Sequence, residues 1–380
     1  MHTIKQKLET LRSYFVKDGF DIRFVGGCVR DFLHGVTPKD FDLCTDANPE
    51  EQIAIYQKND VSYHETGLQH GTITVVIERE AFEITSLRVE SNHDGRHATV
   101  QYTRDWFADL GRRDLTINAM SMDFDGTVID PFGGKNDLEN KNIRFVGSPE
   151  DRMQEDYLRI LRWLRFHGRF AANQPLDAET VEAAIANAKG LRGISRERVW
   201  MEISKIVSGE GAVGLIDSMY DMGIAAHIDL PISDRLNDLK MARMTTRNPV
   251  CLIYALLGAE HMEKIAADWK WSAEERDFGI FLSKCEKENP FFAEHPNWPI
   301  WMVAVDGHPQ KWVAETVRMI AGKSAGDQFE QSVVPIFPVA GRDLLAQGMQ
   351  PGKEVGESLR AKKMKWAESG FKLTKEELLK

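Results

Sequence analysis

Asp40 and Asp42 stand one residue apart, shortly after a glycine pair, Gly26-Gly27, and an arginine, Arg30. Carboxylates at positions i and i+2 of an extended strand share one face. Two such charges repel unless a cation lies between them, and an all-oxygen ligand set suits hard Mg²⁺. Adjacent glycines between a strand and a helix let a ligand approach the backbone and turn N–H groups toward it, which suits phosphate. Arg30, one turn into that helix, adds a fork of donors for phosphate oxygens. Each feature alone is common, since glycine pairs fill ordinary turns and most Asp-x-Asp triplets are solvated. Together they describe a metal-assisted triphosphate site.

Such a site needs a strand, a glycine turn, a helix and a second strand in that order. Residues 22–25 form a short apolar strand ending at Gly26, and residues 29–33 are helix-like. Residues 41–44, 72–77 and 82–87 are rich in β-branched and aromatic side chains and read as further strands. Asp125-Gly126, between the runs 118–124 and 127–129, marks a hairpin turn. From about Pro149 helical spacing takes over, with Leu158/Leu161/Leu164, Val181/Ala184/Ile185 and Val199/Ile203/Ile206. Breaks near Pro231, Pro249, Pro290–Pro299 and Pro335–Pro338 divide this part. The expected fold is α+β, a small mixed-sheet head followed by an all-α remainder.

At about 150 residues per domain, 380 residues make two or three domains. Lys+Arg 48 against Asp+Glu 58, a net charge of −10, excludes a wholly basic nucleic-acid coat but leaves room for a local basic groove. Residues 159–198 hold eight Lys/Arg against four Asp/Glu, and residues 360–380 hold seven against three. Both stretches can meet an RNA backbone or simply be solvated. Cys28, Cys44, Cys251 and Cys285 lie far apart without Cys-x-x-Cys spacing, which argues against a disulfide framework or a thiolate zinc site. No apolar run reaches the ~18 residues of a membrane span. The N-terminal segment, with Leu8, Leu11 and Phe15 spaced helically among charges, lacks the apolar core of a signal peptide. The expectation is a cytoplasmic protein without a membrane partner; oligomeric state leaves no mark on the sequence.

The run from Gly26 to Asp42, Gly-Gly-Cys-Val-Arg-Asp-Phe-Leu-His-Gly-Val-Thr-Pro-Lys-Asp-Phe-Asp, resembles the signature of class II tRNA nucleotidyltransferases. These are the CCA-adding enzymes and their bacterial poly(A) polymerase relatives, within the polymerase-β-type superfamily. Arg112-Arg113-Asp114-Leu115-Thr116-Ile117-Asn118-Ala119 is similar to the family's second motif, and Asp130-Pro131-Phe132-Gly133-Gly134 with Asp137-Leu138 to its third. Glu155-Asp156-Tyr157-Leu158-Arg159-Ile160-Leu161-Arg162 resembles the fourth, and Ile194-Ser195 with Glu197-Arg198 the fifth. The run 337–345 with Gly348 and Pro351-Gly352 resembles the family's tail.

The resemblance implies a nucleotidyltransferase head over residues 1–150, a helical neck with a nucleotide-selecting helix over 151–206, a body over 207–330 and a tRNA-binding tail over 331–380. It implies addition of CCA to tRNA 3′ ends from CTP and ATP without a nucleic-acid template. Asp40 and Asp42 would be catalytic and hold two Mg²⁺ ions. Glu83 is either a third ligand or a salt-bridged strand residue. Gly26, Gly27, Arg30, Arg113, Asp114, Asn118, Asp156, Arg159, Arg162 and Arg165 would bind nucleotide. Of these, Arg113 would touch ribose or phosphate and Asn118 would support the site. Arg113 and Asp114 precede an expected helix over 115–122, where a bound anion would offset the unfavourable cation at a helix start.

Asp156, Arg159, Arg162 and Arg165 recur every three residues on what reads as one helix, beside the apolar stripe of Leu158, Leu161 and Leu164. A carboxylate accepts from an exocyclic amino group and a guanidinium donates to a ring nitrogen or carbonyl. Cytosine and adenine carry an amino group where uracil and guanine carry a carbonyl, so Asp156 and Arg159 can admit C and A and reject U and G. Arg162 and Arg165 would face the triphosphate or fix Asp156. The polar run 88–98 matches a flexible loop that helps the family's site pass from CTP to ATP. The rivals are a poly(A) polymerase, an enzyme adding only CC or A, and a catalytically dead RNA-binding protein. Residues 65–72 lack the arginine-rich element of the polymerases, and His261 and Asp268 lack the adjacency of a phosphohydrolase.

Overall fold

Alternation along the strands decides which way the sheet faces. In Thr72–Ile77, residues Ile73, Val75 and Ile77 are buried and Thr72, Thr74 and Val76 half-buried, as expected of a strand with one covered face. The computed structural model describes residues 2–38, 40–91, 99–287 and 297–380, which group into two units, Met1–Ile228 and Asp229–Lys380.

The strands of the first unit are β1 (Ile22–Val25), β2 (Asp42–Thr45), β3 (Ser62–Gly67), β4 (Thr72–Ile77), β5 (Glu80–Ser86), β6 (Arg88–Ser91), β7 (Thr99–Tyr102), β8 (Ser121–Met122) and β9 (Val128–Ile129). Seven form one mixed sheet in the order β3-β4-β5-β2-β1-β8-β9, in which β2 and β5 run parallel and the other pairs antiparallel. β6 and β7 form a separate ribbon; residues 92–98 of the expected loop lie outside the described residues. Helices α1 (His2–Lys17) and α3 (Pro49–Lys58) cover one face of the sheet. Leu8, Leu11 and Phe15 of α1 and Ile55 and Tyr56 of α3 join Leu43, Ile73, Val75 and Ile84 in one core. Asn48 and Glu51 close the start of α3 with a reciprocal capping box. The opposite face keeps its polar members: Asp42 opens β2 beside Glu83 of β5, its partner in register.

Helices α2 (Gly27–Leu33), α4 (Trp106–Gly111), α5 (Gly134–Glu139), α6 (Pro149–Glu155), α7 (Leu158–Phe170), α8 (Ala178–Asn187), α9 (Arg196–Ser208) and α10 (Ala212–Asp221) complete this unit. Three sequence expectations fail locally. Residues 115–122 form no α-helix but a single 3₁₀ turn, Thr116–Asn118, followed by β8. Tertiary bonds win there: Leu115 bridges to Phe145, and the Thr116 hydroxyl donates to Asp137 at 2.6 Å. Asp40 precedes β2 on a bend rather than sharing the strand with Asp42. Asp156 does not belong to the arginine-bearing helix either. Its extended backbone, φ −155°, ends α6, and α7 starts at Leu158.

The second unit is helical. Its segment Pro249–Leu257 is buried along almost its whole length. Near the C-terminus Leu344, Trp366 and Leu378 pack with Phe337 and Phe371. No helix among the described residues is long and apolar enough to cross a membrane.

Candidate active site

β1 delivers the chain to Gly26, whose φ of 68° is one that side chains rarely adopt. Its N–H donates to the Met120 carbonyl at 3.0 Å, and a Cβ here would sit 2.7 Å from Arg113 Nη1. Gly26→Ala is therefore expected to strain the backbone by about 1–2 kcal/mol and to push Arg113 out of place. Shifts of about 1 Å near reacting groups cost on the order of a hundredfold in rate, which a comparison of kcat between the two proteins measures.

Beyond this turn lies a cleft of about 440 Å³. It is lined by Gly26, Gly27, Arg30, Asp42, Arg113, Asp114, Asn118, Asp156, Arg159 and Arg162, all expected from sequence, and by Arg112 and Phe166, which were not. Asp40 and Arg165 are not part of its lining.

Asp42 remains open to solvent, yet the protein packed around it removes enough water to raise its pKa. Arg113 opposes that rise, while Asp40 and Glu83 add repulsion. Among the described residues none of the three carboxylates has an ion-pair partner, so Glu83 is not a salt-bridged strand residue there. No three candidate ligands converge on one point among the described residues. Asp42 in register with Glu83 still offers the one or two carboxylates that Mg²⁺ takes, the rest of its shell coming from water and substrate phosphates.

The arginines of α7 are not a solvated face. Its buried stripe runs through Leu158, Leu161, Trp163 and Leu164, and its four arginines are all paired, Arg162 entering an ion-pair relay across the cleft. Arg162 donates to Asp114 through Nε at 2.7 Å and pairs through Nη2 at 2.6 Å. Asp114, 7% exposed, also accepts from the Leu115 N–H at 2.8 Å and from Asn118 Nδ2 at 3.0 Å. Asn118 Oδ1 in turn accepts from Arg30, and Arg30 pairs with Asp31 at 2.8 Å. Burial pushes the Asp114 pKa up, but the Arg162 charge and these bonds outweigh it and hold the carboxyl below its ordinary value. Arg30 is thus a fixed wall of the cleft rather than the free phosphate fork that its position suggests. Arg165 turns away and pairs with Glu202 of α9 at 3.1 Å.

Asp156 stands in the break between α6 and α7 and Arg159 in the first turn of α7, where its backbone N–H donates to the Asp156 carbonyl at 2.9 Å. Asp156 Oδ1 accepts from the Leu158 N–H at 3.1 Å, and Oδ2 from Arg198 at 2.6 Å. Arg159 donates to Glu155 and to the backbone carbonyls of Arg152 and Arg112, at 3.1 and 3.3 Å. Between the two, the Tyr157 ring lies against Gly190, where a Cβ would come within 2.2 Å of it.

Sequence reasoning missed three supports. Fully buried Asp109 holds both Arg112, at 2.8 Å, and Arg113, at 3.2 Å. Its spacing of three and four residues from them was a readable helical signal. Glu202 carried no such signal because its partner Arg165 is remote in sequence, whereas Phe166 stands four residues from Arg162, a spacing from which their stacking could have been read.

Residues 22–144 match the Poly A polymerase head domain family, and residues 175–234 match the family described as probable RNA and SrmB-binding site of polymerase A. The mouse (Mus musculus) mitochondrial CCA tRNA nucleotidyltransferase 1 is 39% identical over 98% of this chain and 88% of its own length. The human (Homo sapiens) counterpart is 38% identical over the same shares. The crystal structure of the Bacillus stearothermophilus CCA-adding enzyme in complex with CTP superposes with a TM-score of 0.75 at 28% identity, covering 96% of this chain and 93% of that one. The expected cytoplasmic location does not stand beside these relatives, since the mouse and human proteins are named as mitochondrial. Identity sustained along almost the whole of such relatives, over the same motifs and the same fold, establishes that this chain belongs to the CCA-adding tRNA nucleotidyltransferase family.

Proposed function

We propose that this nucleotidyltransferase completes the 3′ ends of tRNAs lacking part or all of CCA, using CTP and ATP and no nucleic-acid template. The observation that carries this reading is the single cleft in which the base-selecting candidates Asp156 and Arg159 face the glycine turn and Asp42. Transfer of a nucleotidyl group is mainly a matter of position and charge. Gly26 and Gly27 bring backbone close to the phosphates, and Arg113, fixed by Asp109, supplies a positioned cation for phosphate or ribose. Asp40 and Asp42, with Glu83 alongside, would hold Mg²⁺, which would neutralise the triphosphate and ease ionisation of the attacking 3′-hydroxyl. Asn118 and Asp114 keep Arg30 and Arg162 in place as the cleft walls.

Asp156 keeps accepting capacity beyond its bonds to Leu158 and Arg198, because each carboxylate oxygen accepts more than one hydrogen bond. The amino group of C or A can meet it, while the carbonyl of U or G cannot. Asp156→Ala is expected to let UTP or GTP compete about tenfold better, since each such contact discriminates by about 1–3 kcal/mol. Unchanged preference in single-nucleotide incorporation would discard this role.

The acceptor arm would meet basic side chains outside the cleft, including those of residues 360–380. Part of that stretch is already engaged, since Lys375 pairs with Asp343 at 2.7 Å and Lys363 donates to the Val305 carbonyl at 3.2 Å. The test of the whole reading is a tRNA transcript without CCA, incubated with labelled CTP and ATP separately and together. Ordered CCA completion is expected; no transfer rejects the reading, long A tails favour a poly(A) polymerase, and arrest after CC favours partial addition.

A further inference from the structure

Behind Arg30 and Phe166, which also line the active-site cleft, a second cavity of about 520 Å³ is walled by Arg165, Arg169 and Lys205, with Glu210. Its cations share too few carboxylates. Asp31 serves both Arg30, at 2.8 Å, and Arg169, at 3.1 Å. Glu202 serves both Arg165, at 3.1 Å, and Arg162, at 3.9 Å. Lys205 has no ion-pair partner among the described residues. The Phe166 ring gathers three guanidinium groups, those of Arg165 at 4.2 Å, Arg30 at 4.9 Å and Arg162 at 5.7 Å. An aromatic face offsets such crowding only in part. Loss of water lowers the Lys205 pKa and repulsion from Arg165 and Arg162 adds to that, with Glu202 opposing it only in part.

Crowded cations that line a cavity, rather than spreading over a convex surface, focus a field that concentrates anions. Guanidinium forks joined by a mobile ammonium suit a phosphate group in particular. We propose that Arg165, Arg169 and Lys205 form a second phosphate-binding site beside the active-site cleft. Its ligand is a phosphate oxyanion, either free diphosphate or a backbone phosphate of bound RNA. The inference rests on the functional reading above for these two sources, since the reaction would release the one and its acceptor would carry the other.

The test titrates the full-length protein with inorganic pyrophosphate in EDTA, by calorimetry. In parallel, a tRNA transcript lacking CCA is bound over a series of salt concentrations. Lys205→Met, Arg169→Gln and Lys205→Arg are compared with the unmodified chain. If free diphosphate is the ligand, Lys205→Met weakens pyrophosphate binding about tenfold and Lys205→Arg restores it. If an RNA phosphate is the ligand, tRNA affinity falls instead, and its logarithmic salt slope becomes shallower by about 0.7–0.9. The proposal is overturned if Lys205→Met and Arg169→Gln leave both affinities and the slope unchanged. A protein that shows either shift but transfers no nucleotide would overturn the functional reading alone.

Discussion

Asp42→Ala abolishes nucleotidyl transfer while tRNA still binds: that is the largest expected effect of any single change in this chain. The carboxylate opens β2 beside Glu83 and near Asp40; Arg113 offsets its charge only in part, and it forms no ion pair among the described residues. A metal stabilises developing charge in such a reaction by several kcal/mol. At about 1.4 kcal/mol per factor of ten, its loss lowers kcat by about a thousandfold or more. The Asp42 side chain is exposed and makes no hydrogen bond among those described, its backbone carbonyl alone accepting from the Cys28 thiol, so the variant should keep its unfolding midpoint and its tRNA affinity. Single-turnover incorporation of labelled CMP, set beside filter binding of tRNA, separates the two effects. Retained turnover would remove the metal role from Asp42.

The second large effect concerns stability. Arg162→Ala leaves the Asp114 carboxylate buried with only its bonds to Asn118 and the Leu115 N–H. Stranding a buried charge costs about 3–5 kcal/mol. The lower end applies here because Arg162 is itself one-third exposed, which admits water to the broken pair. The expected result is a loss of about 3 kcal/mol in urea unfolding, together with weaker nucleotide binding. The pH dependence has a definite sign. The folded Asp114 carboxyl titrates below its unfolded value, so its stabilising contribution is complete above the ordinary carboxylate range near pH 3.9. That contribution disappears as pH falls through the folded value. The gap between the parent protein and the variant should therefore close on acidification. A gap that stays constant down to pH 3 would show that Arg162 acts by packing alone.

The sheet and the glycine turn were legible because period-two alternation and paired glycines are local properties of the chain. Residues 72–77 and the turn at Gly26-Gly27 are read from neighbours alone. The break at Asp156 was not legible, since three-residue spacing of Asp156, Arg159, Arg162 and Arg165 satisfies one continuous helix. The contacts that end α6 come from Arg198 and from the glycine beneath Tyr157, both remote in sequence. The helix expected at 115–122 failed for the same reason, outcompeted by Phe145 and Asp137. Arg30 and Arg165 show the matching lesson for chemistry. Residue type gave them a plausible task, but partners on other elements, Asn118 and Glu202, decided where their guanidinium groups point.

The seat of Tyr157 on Gly190 carries one more consequence. Asp156, the proposed selector of the base, sits on a loop-like joint braced by Tyr157 and Gly190, neither of which lines the cleft. Fidelity in choosing the incoming monomer can therefore drift through replacements on the far side of that joint, with the reacting centre unaltered. Lineages that share every acidic residue of the catalytic pocket would then differ in how strictly they spell the same three letters.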